Sequence, residues 1–255
     1  MNLSFNETLG EQYRNKSQKI RVMSESWIEE NMFCPCCGNS HLFRLKNNEP
    51  VADMKCDNCG ELYELKSKEG KIGKKINDGA YTTMLRRITS ITNPELLVMQ
   101  YSSDYIVTDL IFIPKFFFVP QIIEKRKPLA STARRAGWIG CNILYSEIPQ
   151  QGKISIIKDG VINSVNTVVE NYNYIKKLET SDINTRSWLL DVLECIDKIK
   201  SKEFCLQEIY AYSTFLQEKH VNNHNVEAKI RQQLQFLRDK GYIEFLGRGH
   251  YKKRI

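Results

Sequence analysis

The residues able to do chemistry crowd into one stretch, PVADMKCDNCGELYELK, over positions 50–66. Ten residues separate Asp53 from Glu64-Leu65-Lys66, an E-x-K tripeptide. In a strand, Glu64 and Lys66 point to one face and Leu65 to the other. If the Asp53 segment pairs with that strand, Asp53 and Glu64 can converge on one hard cation. The Leu65 carbonyl would be a third oxygen ligand. Mg²⁺ suits such a set, because it takes oxygen ligands and keeps several waters. Lys66 would then stand beside a metal-bound water, and cation and lysine together would stabilise charge on a phosphorane-like transition state. Taken alone the pattern is weak, since surface strands often carry acids and lysines.

Half of a second pattern lies inside that interval. Cys34-x-x-Cys37-Gly and Cys56-x-x-Cys59-Gly are separated by 18 residues, a zinc-ribbon spacing. Each pair can form a tight knuckle, and the following glycine tolerates the positive φ that such a turn needs. Four thiolates satisfy tetrahedral Zn²⁺ with no open position, so the expected role is structural. The run CPCC also permits a Cys34/Cys36 pair, but only Cys37 repeats the C-x-x-C-G of the other knuckle. His41 is a further alternative. Cys141, Cys195 and Cys205 lie in or beside apolar stretches and read as core residues.

These residues need a frame. The chain has 255 residues, 42% apolar and 26% charged, which suits one large domain or two. No run approaches the roughly 18 apolar residues of a membrane span. The polar N-terminal stretch has no signal-peptide core, so a reducing cytoplasm is expected, where eight cysteines are thiols or metal ligands. Net charge is +7. Lys115, Lys125, Arg126, Lys127, Arg134 and Arg135 face only Glu124 within 115–135, and Arg248, Lys252, Lys253 and Arg254 cluster near the end. Such clusters suit a phosphate backbone or, more plainly, a solvated face.

Periodicity predicts a helix over 5–31 and another over 78–91, with Asp78 as a cap. Strands are expected at 96–101, 105–113 and 153–157, with Asp159-Gly160 a turn, then a helix over 166–178. Residues 126–142 have no clean period and read as a functional loop or an irregular segment. The polar run 179–185 reads as a linker. Beyond it come three apolar helical stripes and a hairpin, 242–246 with 250–253, around Gly247-Arg248-Gly249. Three helices and a basic hairpin describe a winged helix. The expected domains are therefore 1–180, an α/β nuclease domain carrying the four-cysteine zinc site, and 181–255, a DNA-binding winged helix.

The sequence resembles the DpnI-type methyl-directed restriction endonucleases, which cut GATC sites carrying N6-methyladenine. The resemblance spans essentially the whole chain. It is carried by Glu49-Pro50-Val51-Ala52-Asp53, Glu64-Leu65-Lys66-Ser67-Lys68, Ile76-Asn77-Asp78-Gly79-Ala80-Tyr81, Arg126-Lys127-Pro128-Leu129-Ala130, Thr132 to Asn142, and Lys229 to Gln235. It implies a PD-(D/E)xK restriction-endonuclease-like core with a zinc-ribbon-type insertion, followed by a winged helix, with Asp53, Glu64 and Lys66 as the catalytic set. Pro50 departs from the motif, lying three residues before Asp53. The resemblance also implies that Trp138, after Arg134-Arg135, packs against the adenine methyl groups; a methyl adds apolar surface that an indole can cover. By residue pattern alone Trp138 reads as a core tryptophan. In the C-terminal domain the third helix is the natural groove reader, offering Lys229, Arg231, Gln232 and Gln233, with Arg248 on the wing for the backbone or minor groove.

The expected function is Mg²⁺-dependent hydrolysis of adenine-methylated duplex DNA by a monomer that needs no protein partner. The alternative is a zinc-ribbon and winged-helix regulator without hydrolytic activity. The two are separated by whether Asp53, Glu64 and Lys66 converge.

Overall fold

The computed structural model describes residues 1–45, 52–90 and 92–254. Pro50 lies outside the described residues, with its neighbours Glu49 and Val51. Elements run α1 (Lys16–Asn31), β1 (Phe43–Arg44), β2 (Met54–Lys55), β3 (Leu62–Glu69), β4 (Ile76–Ala80), α2 (Tyr81–Ile88), β5 (Glu95–Tyr101), β6 (Val107–Ile113), β7 (Ile123–Lys125), β8 (Gly140–Ile143), β9 (Ile154–Lys158), β10 (Val161–Ile162) and α3 (Val165–Lys176). There follow α4 (Ile183–Lys198), β11 (Glu203–Cys205), α5 (Leu206–Tyr210), α6 (Ser213–Lys219), α7 (Val226–Asp239), β12 (Ile243–Gly247) and β13 (His250–Lys253).

The frame is a mixed sheet in the order β1-β2-β3-β5-β6-β9-β10. Every residue of β5 is buried, which explains its nearly unbroken apolar run as a strand covered on both faces. β3 and β5 pair in parallel, from Tyr63 opposite Glu95 to Glu69 opposite Tyr101. Parallel neighbours require a crossover, and β4 with α2 supplies it. β4 joins a second, small sheet in the order β4-β8-β7.

Two helices differ from the expectation. In the N-terminal segment only Lys16–Asn31 is α-helical, preceded by a short 3-10 turn at Glu7–Gly10. Asn15 starts the helix by accepting from the Ser17 and Gln18 amides. A side chain at Gly10 would meet Lys19 and Met23 at about 2.5 Å, so the turn packs directly on the helix. Nor is Asp78 a cap. Residues 76–80 form β4, the helix begins at Tyr81, and Ala80 at its N-cap makes no side-chain hydrogen bond. Cross-strand pairing with β8 overrides the helical period of 78–80.

Past residue 180, α4, α5 to α7 and the hairpin β12-β13 match the three-stripe reading, with two changes. The second stripe splits into α5 and α6, and β11 adds a third strand in the order β11-β13-β12. The polar run at 179–185 is already partly helical, because Asp182 caps α4 by accepting from the Thr185 amide at 2.6 Å. This part docks tightly on the rest. The Tyr174 hydroxyl donates to the Gly241 carbonyl, the Tyr242 hydroxyl donates to the Tyr174 carbonyl, and their rings lie 4.6 Å apart. Lys219 reaches Glu147 at 3.2 Å as well as Asp191 and Glu194. No helix among the described residues is long and apolar enough to cross a membrane.

Candidate active site and metal centre

β2 and β3 form an antiparallel hairpin with two residue pairs, Met54 opposite Tyr63 and Lys55 opposite Leu62. Asp53 sits just before it. Its amide donates to the Tyr63 carbonyl at 2.8 Å, and its Oδ2 accepts from the Leu65 amide at 2.8 Å. The two backbone groups of a strand residue face the same edge. The Leu65 carbonyl therefore faces the Asp53 edge, beyond the end of β2. On either side of Leu65, Glu64 and Lys66 share the other face and touch, with Nζ 2.6 Å from Oε1. Asp53, Glu64, Leu65 and Lys66 line a single cleft of about 440 Å³, and Glu25 of α1 lines the same space.

Two side chains from the crossover complete the cluster. Asp78 of β4 places Oδ1 2.6 Å from Lys66 Nζ, and Arg87 of α2 reaches Glu64 Oε2 at 3.4 Å. Burial pushes the Glu64 carboxyl above its ordinary value, against the pull of Lys66. Burial also works against the Lys66 charge. There the Glu64 and Asp78 carboxylates outweigh it and hold the ammonium above its ordinary value. Glu25 is buried too, held by Arg21 at 2.6 Å and Arg44 at 2.5 Å. The spacing of Asp53, Glu64 and Lys66 gave no hint of Glu25, Asp78 or Arg87. The only signal for Asp78 is its place in the Ile76–Tyr81 block that carries the resemblance, since its position at the head of 78–91 reads as a cap.

The cysteine pairs are matched knuckles. Gly38 donates to the Cys34 carbonyl and Gly60 to the Cys56 carbonyl, each at 2.8 Å, and both glycines have φ of 78°. The sulfurs of Cys34, Cys37, Cys56 and Cys59 lie within 4.8 Å of one another. Cys34 and Cys59 are 3.6 Å apart, Cys37 and Cys56 3.7 Å. Tetrahedral Zn²⁺ with bonds of about 2.3 Å sets sulfurs about 3.8 Å apart, so the four fit that ion. Neither Cys36 nor His41 belongs to this group. The Cys36 thiol lies beside Cys34, against Tyr63 and Tyr172. Burial works against ionisation of Cys37, yet hydrogen bonds from the Asn58 side chain and the Asn39 backbone bring its thiol down to about 7. Tyr63 ties this centre to β3, with its hydroxyl 3.0 Å from Cys34 Sγ.

The residues expected to meet DNA separate into two groups. Arg134 and Arg135 are exposed, and Trp138 is half-buried, with the Arg135 guanidinium 4.8 Å over its ring. Trp138 is thus no core residue. In α7, Arg231 and Gln232 are exposed and Lys229 is half-buried, while Arg248 is exposed on the β12-β13 turn with φ of 49°. Gln233 is a correction: it is 2% exposed and belongs to the packed face with Ile230, Leu234 and Leu237. The basic clusters shrink as well. Lys115 pairs with Glu61 at 2.5 Å and approaches Glu95, Lys252 pairs with Glu203, and Arg254 pairs with Glu244. Their partners are distant in sequence or on neighbouring strands, so a local charge count misses them.

A model described as DpnI, the Dam-replacing family, matches residues 1–181, and one described as the Dam-replacing HTH domain matches residues 184–253. Membership in this family implies a methylation-dependent restriction endonuclease, with DNA bound through the helix-turn-helix part. Across almost its whole length, the chain belongs to the DpnI, or Dam-replacing, family.

Proposed function

We propose that this chain is a type II endonuclease that cuts duplex DNA at G-m6A-T-C by Mg²⁺-dependent hydrolysis. The observation that carries the reading is the shared cleft of Asp53, Glu64 and Lys66, with Asp53 held against the strand by the Leu65 amide. In this reading residues 1–180 are a PD-(D/E)xK nuclease domain with a structural zinc site, and 181–255 a winged helix.

Asp53, Glu64 and the Leu65 carbonyl form a hard oxygen set that would hold Mg²⁺. Bound there, Mg²⁺ would supply Lewis-acid stabilisation of the phosphorane-like transition state and acidify a coordinated water. The protein's own residues do the rest. Lys66, kept cationic by its carboxylate neighbours, orients the attacking water and offsets charge developing on the phosphoryl oxygens. Water attacks phosphorus as the P–O3′ bond breaks; the attacking water gives up a proton and the leaving O3′ takes one up from solvent. Cys34, Cys37, Cys56 and Cys59 hold Zn²⁺ and take no part in that step. Arg134, Arg135 and Trp138 read the methylated site from the nuclease domain. Lys229, Arg231, Gln232 and Arg248 read or grip it from the winged helix. The protein acts as a cytoplasmic monomer.

The test is incubation with Mg²⁺ and two copies of one plasmid, one adenine-methylated and one not. Cutting of the methylated copy alone is expected. Asp53→Ala and Lys66→Ala should abolish cutting and leave methylated-DNA binding largely intact. Tight binding of methylated DNA by the wild type with no cutting would overturn the reading in favour of a non-enzymatic regulator.

A further inference from the structure

Asp78 is half-buried as a residue, but its side chain is only 7% exposed, and it holds Lys66 from a different sheet. Its Oδ1 lies 2.6 Å from Lys66 Nζ and also accepts from the Gly79 amide at 2.7 Å. The strand beneath it is irregular. β4 pairs with β8 as Asp78 opposite Cys141 and Ala80 opposite Gly140, with a register shift between. Bulges re-aim side chains and gather beside active sites. A buried ion pair is also weak evidence for stability, because desolvation offsets most of its attraction. An aimed carboxylate on a bulge therefore needs a reason beyond holding the fold together.

β8 gives that reason, because it emerges directly from the segment that carries Arg134, Arg135 and Trp138. The Tyr81 amide donates to the Ile139 carbonyl at 3.1 Å, and the Arg126 amide to the Gly140 carbonyl at 3.0 Å. The Trp138 ring lies over Gly140 so closely that a Cβ there would sit 2.8 Å from it. Gly140 is the partner of Ala80, two residues beyond Asp78. A continuous path of packed and hydrogen-bonded groups thus runs from the indole to the Lys66 ammonium.

We propose that Asp78 is a positioning residue: it fixes the Lys66 ammonium and links it, through β4 and β8, to the segment holding Trp138. The inference rests on the nuclease reading for the roles of Lys66 and Trp138. Lys66 has two carboxylate partners, and Glu64 is the one that would turn to a cation. Asp78 remains to keep the ammonium in register. A shift of the Trp138 segment on DNA reaches Lys66 through Asp78.

The experiment has two arms on the full-length protein. In the first, without Mg²⁺, an amine-acetylating ester labels the protein and peptide mass spectrometry follows Lys66, with exposed lysines as the internal reference. Asp78→Asn should speed labelling of Lys66 by about tenfold as the ammonium loses its anchor, and Asp78→Glu should stay near wild type. In the second, single-turnover cleavage and Kd are measured with methylated duplex and Mg²⁺. Asp78→Asn should lower the rate by 10- to 100-fold, on the order of a lost charge-assisted contact, with Kd within about twofold. Asp78→Glu should recover most of the rate. If the link exists, the rate defects of Asp78→Asn and Trp138→Ala will not multiply in the double variant. Unchanged Lys66 labelling in Asp78→Asn, or a Kd that moves as far as the rate, overturns the positioning role. Defects that multiply overturn the link to Trp138. A wild type that labels as described but cuts no methylated DNA sinks the nuclease reading and leaves the anchoring of Lys66 standing.

Discussion

Cys59→Ser should cost the protein its zinc and most of its activity, although zinc takes no part in the chemistry. Cys59 is the exposed member of the four, so the substitution leaves the core untouched. Its effect should pass through the β2-β3 hairpin, which has only two residue pairs to fix its register. The cross-link between knuckles closes a loop from Cys37 to Cys56, 19 positions apart. Closing a loop of about 20 residues is worth about 3 kcal/mol of chain entropy. That is on the order of 100-fold in the population with Asp53 and Glu64 aligned, and it is an upper bound. The Asp53 amide bond to Tyr63 and the Tyr63 contact with Cys34 survive in part. Where the register slips by one residue, Glu64 and Lys66 turn to the wrong face. The assay is zinc content by mass spectrometry, melting temperature and Mg²⁺-dependent cleavage, all on one preparation. Cys36→Ser is the control and should keep its zinc, because Cys36 stands outside the sulfur group. A zinc-free Cys59→Ser protein with wild-type melting and cutting would refute the argument.

Two further outcomes follow from burial. Gln232→Ala should weaken binding to methylated duplex several-fold with melting unchanged, whereas Gln233→Ala should lower stability by about 1–2 kcal/mol, since its side chain is packed in the core; the reverse pattern in melting and binding curves would put the wrong glutamine toward DNA. Burial pushes the Glu95 carboxyl up to about 8 from an ordinary 4.5, with Lys115 only partly offsetting it. A group raised in the fold stabilises it below the unfolded value and loses that contribution as pH rises through the folded value. Glu95→Gln should thus gain over wild type between pH 5 and 8, by at most about 4 kcal/mol at the upper end; denaturant midpoints at the two pH values decide it, and a gain that does not grow with pH would be the contrary result.

What the sequence made legible was whatever depends on short-range spacing. The alternation of Glu64 and Lys66, the two C-x-x-C-G knuckles and their positive-φ glycines, and the apolar stripes of α4 and α7 all follow from local periods. The rest depends on pairings that no local period encodes. Asp78 read as a helix cap because its pairing to β8 bridges over sixty residues of chain, from Asp78 to Cys141. Lys115 read as a phosphate contact because Glu61 lies 54 positions away. Gln233 is a different case: it stands three residues after Ile230 and four before Leu237, squarely on the apolar stripe. Its polarity drew attention that its phase should have cancelled.

The parallel pairing of β3 with β5 has a consequence for how cheaply the charged cluster closes. A parallel neighbour cannot be reached by a tight turn, so the chain must leave the sheet after Glu69 and return at Glu95. That excursion carries Asp78 and Arg87 back over the strand it has just left. The contacts of the cluster therefore join residues close along the chain: 12 positions for Leu65 with Asp53, 12 for Lys66 with Asp78 and 23 for Arg87 with Glu64. Loop-closure entropy grows only with the logarithm of such separations, and contacts of low order form fast. A polypeptide emerging in order has every one of these charged partners by residue 87, well before the helix-turn-helix segment exists.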